Sequence, residues 1–434
     1  FTTMVAVVTC LVFGLFPAIQ SARTEPAVAL KLGARGLTAD RGRFSFQRFL
    51  VASQTALSLV LLVCALLLVQ SFRNLVTLNP GFRQDGVFHV TLAINRLNVP
   101  VERRQSFKQE LVERVKAIPQ VEGAAMTSHL PLGGGAWSLG VRVPNAHGEQ
   151  EGHSRFTWVS PGYFATMEIP LLAGRDFGRH DTATSPKVLV VNETFVRRFL
   201  TGLNPIGAMV RSVAEPGYPD ALYEVVGVVK DTKYAGLREV IPPIAFTPSS
   251  QLPNPGTFAR IAIRTSAPLD EVMTAVRQSL GEALPEIPIG MSVLRTQVSE
   301  RLMRERLLAW LSSSFGALAA LLAMIGLYGV ISYTVVRRRN EIGIRLALGA
   351  QRGAVLKLII RQGLALALPG IALGLAAAFA ATRVLSSLLF GVTATDPYTL
   401  IGVSALLSTV ALLACYVPAR KAASVDPLVA IRHE

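Results

Sequence analysis

The sequence predicts an α-helical polytopic membrane protein with five spans and a large mixed α/β extracytoplasmic domain. Three observations predict it: five long uncharged windows, an uneven distribution of Lys and Arg around them, and a change of texture between the second and third windows. The chain is 51% hydrophobic and only 16% charged, outside the usual composition of soluble domains. The uncharged windows cover residues 1–22, 49–72, 307–336, 362–382 and 397–419. About 20 apolar residues in a helix cross a ~30 Å hydrocarbon core. In lipid only a helix satisfies its own backbone polar groups, so each window reads as a spanning helix.

Charge sets the expected orientation. Residues 71–306 carry 26 Lys+Arg against 22 Asp+Glu. The segments 23–48, 337–361 and 420–434 together carry 16 basic against 5 acidic residues. Lys and Arg accumulate on the cytoplasmic side, so these three segments are expected inside. Residues 73–306 and the short loop 383–396 are expected outside. Because the positive charge lies beside spans, topology accounts for it, and no nucleic-acid partner is expected. Cys10, Cys64 and Cys415 fall within apolar windows, so the external domain has no disulfide available.

Taken in order, the first window (1–22) opens at Phe1 without a basic flank. It reads as the last span of a preceding repeat, followed by a cytoplasmic linker at 23–48. FPAIQSARTEPAVALK (16–31) and VPARKAASVDPLVAIR (417–432) share six of sixteen letters at matching places; self-similarity at a large offset points to duplication. The second window, 49–72, leads into the 73–306 domain. There, VFHVTLAIN (87–95) alternates as a strand, and residues 101–119 place Phe107, Leu111, Val115 and Ile118 at helical spacing. A second strand, helix and strand follow at 260–265, 268–284 and 287–294. These two blocks are expected to pack together. KVLVVN and YEVVGVVKD, between Gly/Pro-rich turns, predict a more β-rich middle.

The third window (307–336) is followed by VVRRRNEIGIRLALGAQRGAVLKLIIRQG (335–363). Anchoring a span needs two or three cations, which Arg337, Arg338 and Arg339 supply. Beyond them an amphipathic pattern continues, with Ile342, Leu346, Val355, Leu358 and Ile359 on one face and Arg345, Arg352 and Lys357 on another. Such a cytoplasmic segment, 337–361, suits docking on a soluble partner. Its candidate residues are Arg339, Glu341, Gly343, Arg345, Leu346, Leu348, Gly349 and Arg352. Glu341 would complement the helix dipole, Arg345 would be the charged contact, Leu346 and Leu348 the apolar anchors, and Gly349 the turn. In the fourth window (362–382), Gly370 and Gly374 form a GxxxG, which permits close helix contact. The fifth window (397–419) precedes the tail 420–434.

Reaction chemistry finds little support. There is no GxxxxGK[ST] phosphate loop, no HExxH and no CxxC. His89, His129, His147, His153 and His180 lack metal-ligand spacing. The triple glycine at 133–135 has no following helix signature. No catalytic residue, cofactor or metal is expected.

At these residues a resemblance becomes specific. GLYGVISYTVVRRR, RRNEIGIRLALGAQRGAVL, LLFGVTATDPYTL and PARKAASVDPLVAIR resemble permease subunits of the FtsX/MacB type of ABC transporter. SPGYFATMEIPLLAGRDF, VNETFVRRF, NPIGAMVR and EVVGVVKDTKYAGL resemble that family's periplasmic core domain. The resemblance covers residues 45–434, while residues 1–32 resemble the end of a preceding FtsX-like repeat, as in duplicated orphan permeases. It implies an inner-membrane permease that transmits the strokes of a separate cytoplasmic ABC ATPase dimer to its external domain, for export or for handling substrate at the outer face. It further implies, as partners, the lipid bilayer, a first half of the same chain or a second permease copy, and a periplasmic adaptor with an outer-membrane channel. The same parts would also serve a non-transport mechanotransmitter that switches an envelope enzyme or receptor.

Overall fold

The first helix, α1 (Ala39–Val76), is terminated by the Asn79-Pro80-Gly81 turn. It belongs to a computed structural model that describes residues 39–133, 137–145, 148–216, 218–348, 351–393 and 395–423. The window at 1–22, the linker up to residue 38, the repeat at 16–31, the tail beyond 423, Gly349, His147 and most of the triple glycine lie outside the described residues. The chain divides into two compact units, one of residues 71–308 and one of residues 1–70 with 309–434.

In the 71–308 unit the two predicted strand–helix blocks form one layer. Strands β1 (Val87–Ala93), β2 (Gly123–Met126), β10 (Phe258–Arg264) and β11 (Ile289–Val293) make an antiparallel sheet in the order β11-β1-β10-β2, with Phe88 opposite Ile263 and Val293. Helices α2 (Val101–Lys116) and α5 (Leu269–Ala283) cover one face. Phe88, Val90, Leu92, Leu111, Val115, Ile261, Val272 and Val276 fill the space between. Helix α2 stops three residues before the sequence suggested, because Ile118 precedes Pro119 and a residue before proline is pushed out of the helical region. Likewise Ile94 leaves the strand for a 3-10 turn, yet stays in the core.

The middle of the unit is β-rich. Strands β3 (Trp137–Asn145) and β4 (Gly148–Val159) form a long hairpin, followed by α3 (Tyr163–Met167), β5 (Leu171–Gly174), β6 (Val188–Asn192) and α4 (Glu193–Phe199). Then come β7 (Met209–Ser212), β8 (Ala221–Val229) and β9 (Ile244–Pro248). The order is β5-β8-β6-β9-β4-β3-β7, and β7 also pairs with β8, so six strands close into a ring with β5 appended. Closure removes open edges. Asn192 caps α4 by accepting from the Phe195 amide at 3.0 Å, and its side chain also bonds Asp231 and the Ile244 amide. Helix α6 (Leu294–Arg301) completes the unit.

The other unit holds α1 with α7 (Met303–Arg337), α8 (Arg339–Ala347), α9 (Arg352–Leu385) and α10 (Pro397–Ala423). Four helices are long and apolar enough to cross a membrane, at Gln47–Val76, Met303–Arg337, Arg352–Leu388 and Pro397–Ala422. Leu318, Leu321, Ile325, Leu373, Phe379 and Ile401 on these helices are exposed. A soluble fold would bury such a set; a hydrocarbon solvent would not require it. Inside the bundle, small residues let backbones approach. A Cβ at Gly370 would stand 2.7 Å from the Ala52 carbonyl oxygen and 2.8 Å from Thr55 Cβ, and one at Gly374 2.9 Å from the Ala56 carbonyl oxygen and from Leu59 Cβ. The GxxxG of α9 therefore lies directly on α1. Ser58 Oγ donates to the Ala319 carbonyl at 2.8 Å, joining α1 to α7 by a buried hydrogen bond.

Candidate functional site

Between two span-length helices the chain makes the nine-residue α8. Glu341 sits in the first turn and Arg345 in the last, both matching the helix dipole, and the helix runs through Gly343 without a break. The helix is fixed to its unit through one face. Ile342 is buried with Leu327, Ile331, Val355 and Ile359, and Gly343 is buried beside it. The other face is uncovered and mixes apolar with charged residues: Ile344 is 52% exposed and Leu348, just past the helix, 83%, beside the exposed Glu341 and Arg345.

The two charges singled out in α8, Glu341 and Arg345, meet each other. Arg345 Nη2 donates to Glu341 Oε1 at 2.7 Å, and Arg338 Nε lies 3.9 Å from Glu341 Oε2. An exposed i,i+4 pair contributes only a few tenths of a kcal/mol, so a docking partner could exchange it at little cost. The pair was legible from the four-residue spacing.

Beyond α8, the apolar window at 362–382 lies inside a longer helix, since α9 begins at Arg352 and runs through residue 362 without interruption. No proline stands between Arg352 and Gln362, and Gly353, the one glycine there, falls in the first turn of α9. Val355, Ile359, Gly363 and Ala367 form the buried stripe, each four residues on. Leu358, expected on that face, falls on its flank and is 36% exposed. Arg352, Lys357 and Arg361 are exposed.

Thus Glu341, Gly343, Arg345, Leu348 and Arg352 lie along one short stretch around α8. Arg339 opens α8 and Leu346 lies within it, but the side chains of both fall outside the described residues. Gly370 and Gly374 belong to the α1–α9 contact instead. Ile344 was missed; its exposure follows from being two positions after the buried Ile342, about 200° around the helix.

Comparison with known proteins matches the same regions. The family model for the MacB-like periplasmic core domain matches residues 49–279, and that for the FtsX-like permease C-terminal matches residues 313–427. The macrolide export ATP-binding/permease protein MacB of Marinobacter nauticus is 25% identical over 88% of this chain and 58% of its own length. An uncharacterized ABC transporter permease, YknZ of Bacillus subtilis, is 22% identical over 66% of this chain and 72% of its own. The chain therefore spans little more than half of the first of these relatives. The crystal structure of the periplasmic region of MacB from Actinobacillus actinomycetemcomitans matches 51% of this chain and 95% of its own, with 14% identity and a TM-score of 0.37. With both family models matched on a chain of span-length helices and a mixed α/β unit, this protein belongs to the FtsX/MacB-type permeases of ABC transporters.

Proposed function

We propose that this permease couples a separate cytoplasmic ABC ATPase dimer to its external unit by mechanotransmission, with residues 73–306 on the periplasmic side. The work would be export, or handling of a substrate at the outer face of the membrane. The observation that carries the proposal is α8, a short helix with Ile342 buried in its own unit and Ile344 and Leu348 left uncovered beside an exchangeable ion pair. A groove on the ATPase that covers Ile344 and Leu348 would gain their apolar area. Displacement of α8 would reach α7 and α9 directly, since Ile342 packs against Leu327 and Ile331 of one and Val355 and Ile359 of the other. The working assembly would hold two permease units, through a second copy or a first half in the same chain.

Affinity purification of the full gene product from its native membrane tests this. A nucleotide-binding subunit is expected to copurify in stoichiometric amount. A permease that is active in vesicles without any such subunit would overturn the proposal.

A further inference from the structure

Within the 71–308 unit, a cavity of about 200 Å³ opens where α2 and β10 of the four-stranded layer meet β4 and the segment after β9. Its walls join two chemistries. Lys108 and Arg260 supply positive charge, with Arg104 close enough to act on Lys108. Trp158, Tyr218 and Phe258 supply flat apolar surface, the Trp158 and Tyr218 rings being stacked with centroids 5.2 Å apart.

Among the described residues no carboxylate pairs with these cations. Lys108, only 5% exposed, donates to the Gly256 carbonyl at 2.6 Å. Arg260 donates to the Ser128 carbonyl at 2.7 Å, and Arg104 to the carbonyls of Val99 and Pro255. No Asp or Glu is among the described residues that line the cavity. Burial, with Arg104 and Arg260 as like-charged neighbours, lowers the Lys108 pKa to about 8. A buried cation without a counter-ion costs folding free energy, and a bound anion would offset that cost. A cationic pocket with no Asp or Glu among its described lining residues fits a ligand that brings acceptors.

We infer that this cavity is a binding site for a small aromatic carboxylate, its carboxylate held by Lys108 and Arg260 and its ring lying against Trp158 and Tyr218. The size follows from the volume, which is below the ~300–1,000 Å³ of pockets for drug-sized ligands. Because the lining comes from both layers, an occupant would also brace one against the other.

The test uses the full chain in zwitterionic lipid nanodiscs, with empty nanodiscs as the control for partitioning. 4-Hydroxybenzoate is titrated by saturation-transfer difference NMR alongside the neutral 4-hydroxybenzamide and inorganic phosphate. Saturable binding of the acid is expected, with the amide about tenfold weaker or more, since it forfeits the charge-assisted bonds. Lys108→Met and Arg260→Gln should each weaken the acid to a similar degree. The acid/amide comparison needs no variant, so it stands even if one substitution fails to fold. No saturable signal from the acid overturns the inference, as does equal binding of acid and amide. Phosphate that matches the acid's affinity would reduce the site to an inorganic-anion hole and overturn its aromatic part.

Discussion

Replacing Gly370 by Ala adds one methyl where the α1 backbone already stands. The new Cβ would lie 2.7 Å from the Ala52 carbonyl oxygen and 2.8 Å from Thr55 Cβ, closer than real methyl contacts allow. Neither atom is the end of a flexible side chain, so α1 and α9 must part. Overpacking of this kind costs about 1–3 kcal/mol, while the gain in helix propensity from Gly to Ala returns at most ~1 kcal/mol. Gly402 on α10 supplies the control, because a Cβ there meets nothing within 4 Å. Gly402→Ala should therefore be neutral or slightly stabilising, and Gly370→Ala should fall below it by about 1–3 kcal/mol. Gly374→Ala should behave like Gly370→Ala. The double variant should cost less than the sum, since one separation of the helices relieves both clashes. Denaturant-titrated unfolding of the full chain in mixed micelles, followed by far-ultraviolet circular dichroism, measures all four. Coincident curves for Gly370→Ala and Gly402→Ala would refute the reasoning.

Two further outcomes are expected. Burial, with Arg260 nearby, lowers the His89 pKa to about 4 from an ordinary 6.5; the unfolded chain then takes the proton first as pH falls, so stability is lost between about pH 6.5 and pH 4, and His89→Gln should flatten that part of the wild-type profile, whereas parallel profiles would exclude His89 as the cause. Ser138 is exposed on β3, so Ser138→Cys should react with an impermeant maleimide on intact spheroplasts, and labelling only after lysis would reverse the proposed orientation.

How much could be read from the sequence depends on how local each signal is. Window length gave the four described spans, and alternation gave β1 with Phe88, Val90 and Leu92 inward. The pairing of β1 with β10, more than 150 residues later, followed from two blocks that each needed a second layer. The ring closure by β7 and β8 left no such trace, because β7 is four residues long and its pattern is set by neighbours on both sides. The α8 region was legible as amphipathic, and the helical pattern read past Gly349 at Val355 and Ile359 lies in α9, which runs on through Lys357 and Arg361 into the apolar window. The cavity at Lys108 was invisible for a different reason. A lysine on a helix reads as a solvated face, and only the fold brings Trp158 and Arg260 against it from distant strands.

The central claim, that an ATPase drives this permease through α8, is tested most directly by ATP turnover. The full-length permease and its copurifying ATPase are reconstituted in bilayers, and Leu348→Asp and Arg345→Glu are compared with wild type. Leu348 is 83% exposed, and Arg345 is exposed with its ion pair made to Glu341 of the same helix, so both variants should leave expression and thermal stability close to wild type. Leu348→Asp should weaken ATPase association by about 2 kcal/mol or more, as charging an apolar anchor does at an interface core. Arg345→Glu should do so by placing two carboxylates one turn apart at the contact, and stimulated turnover should fall with association in both. Full association and full turnover in both variants would contradict the account and leave α8 as a membrane anchor.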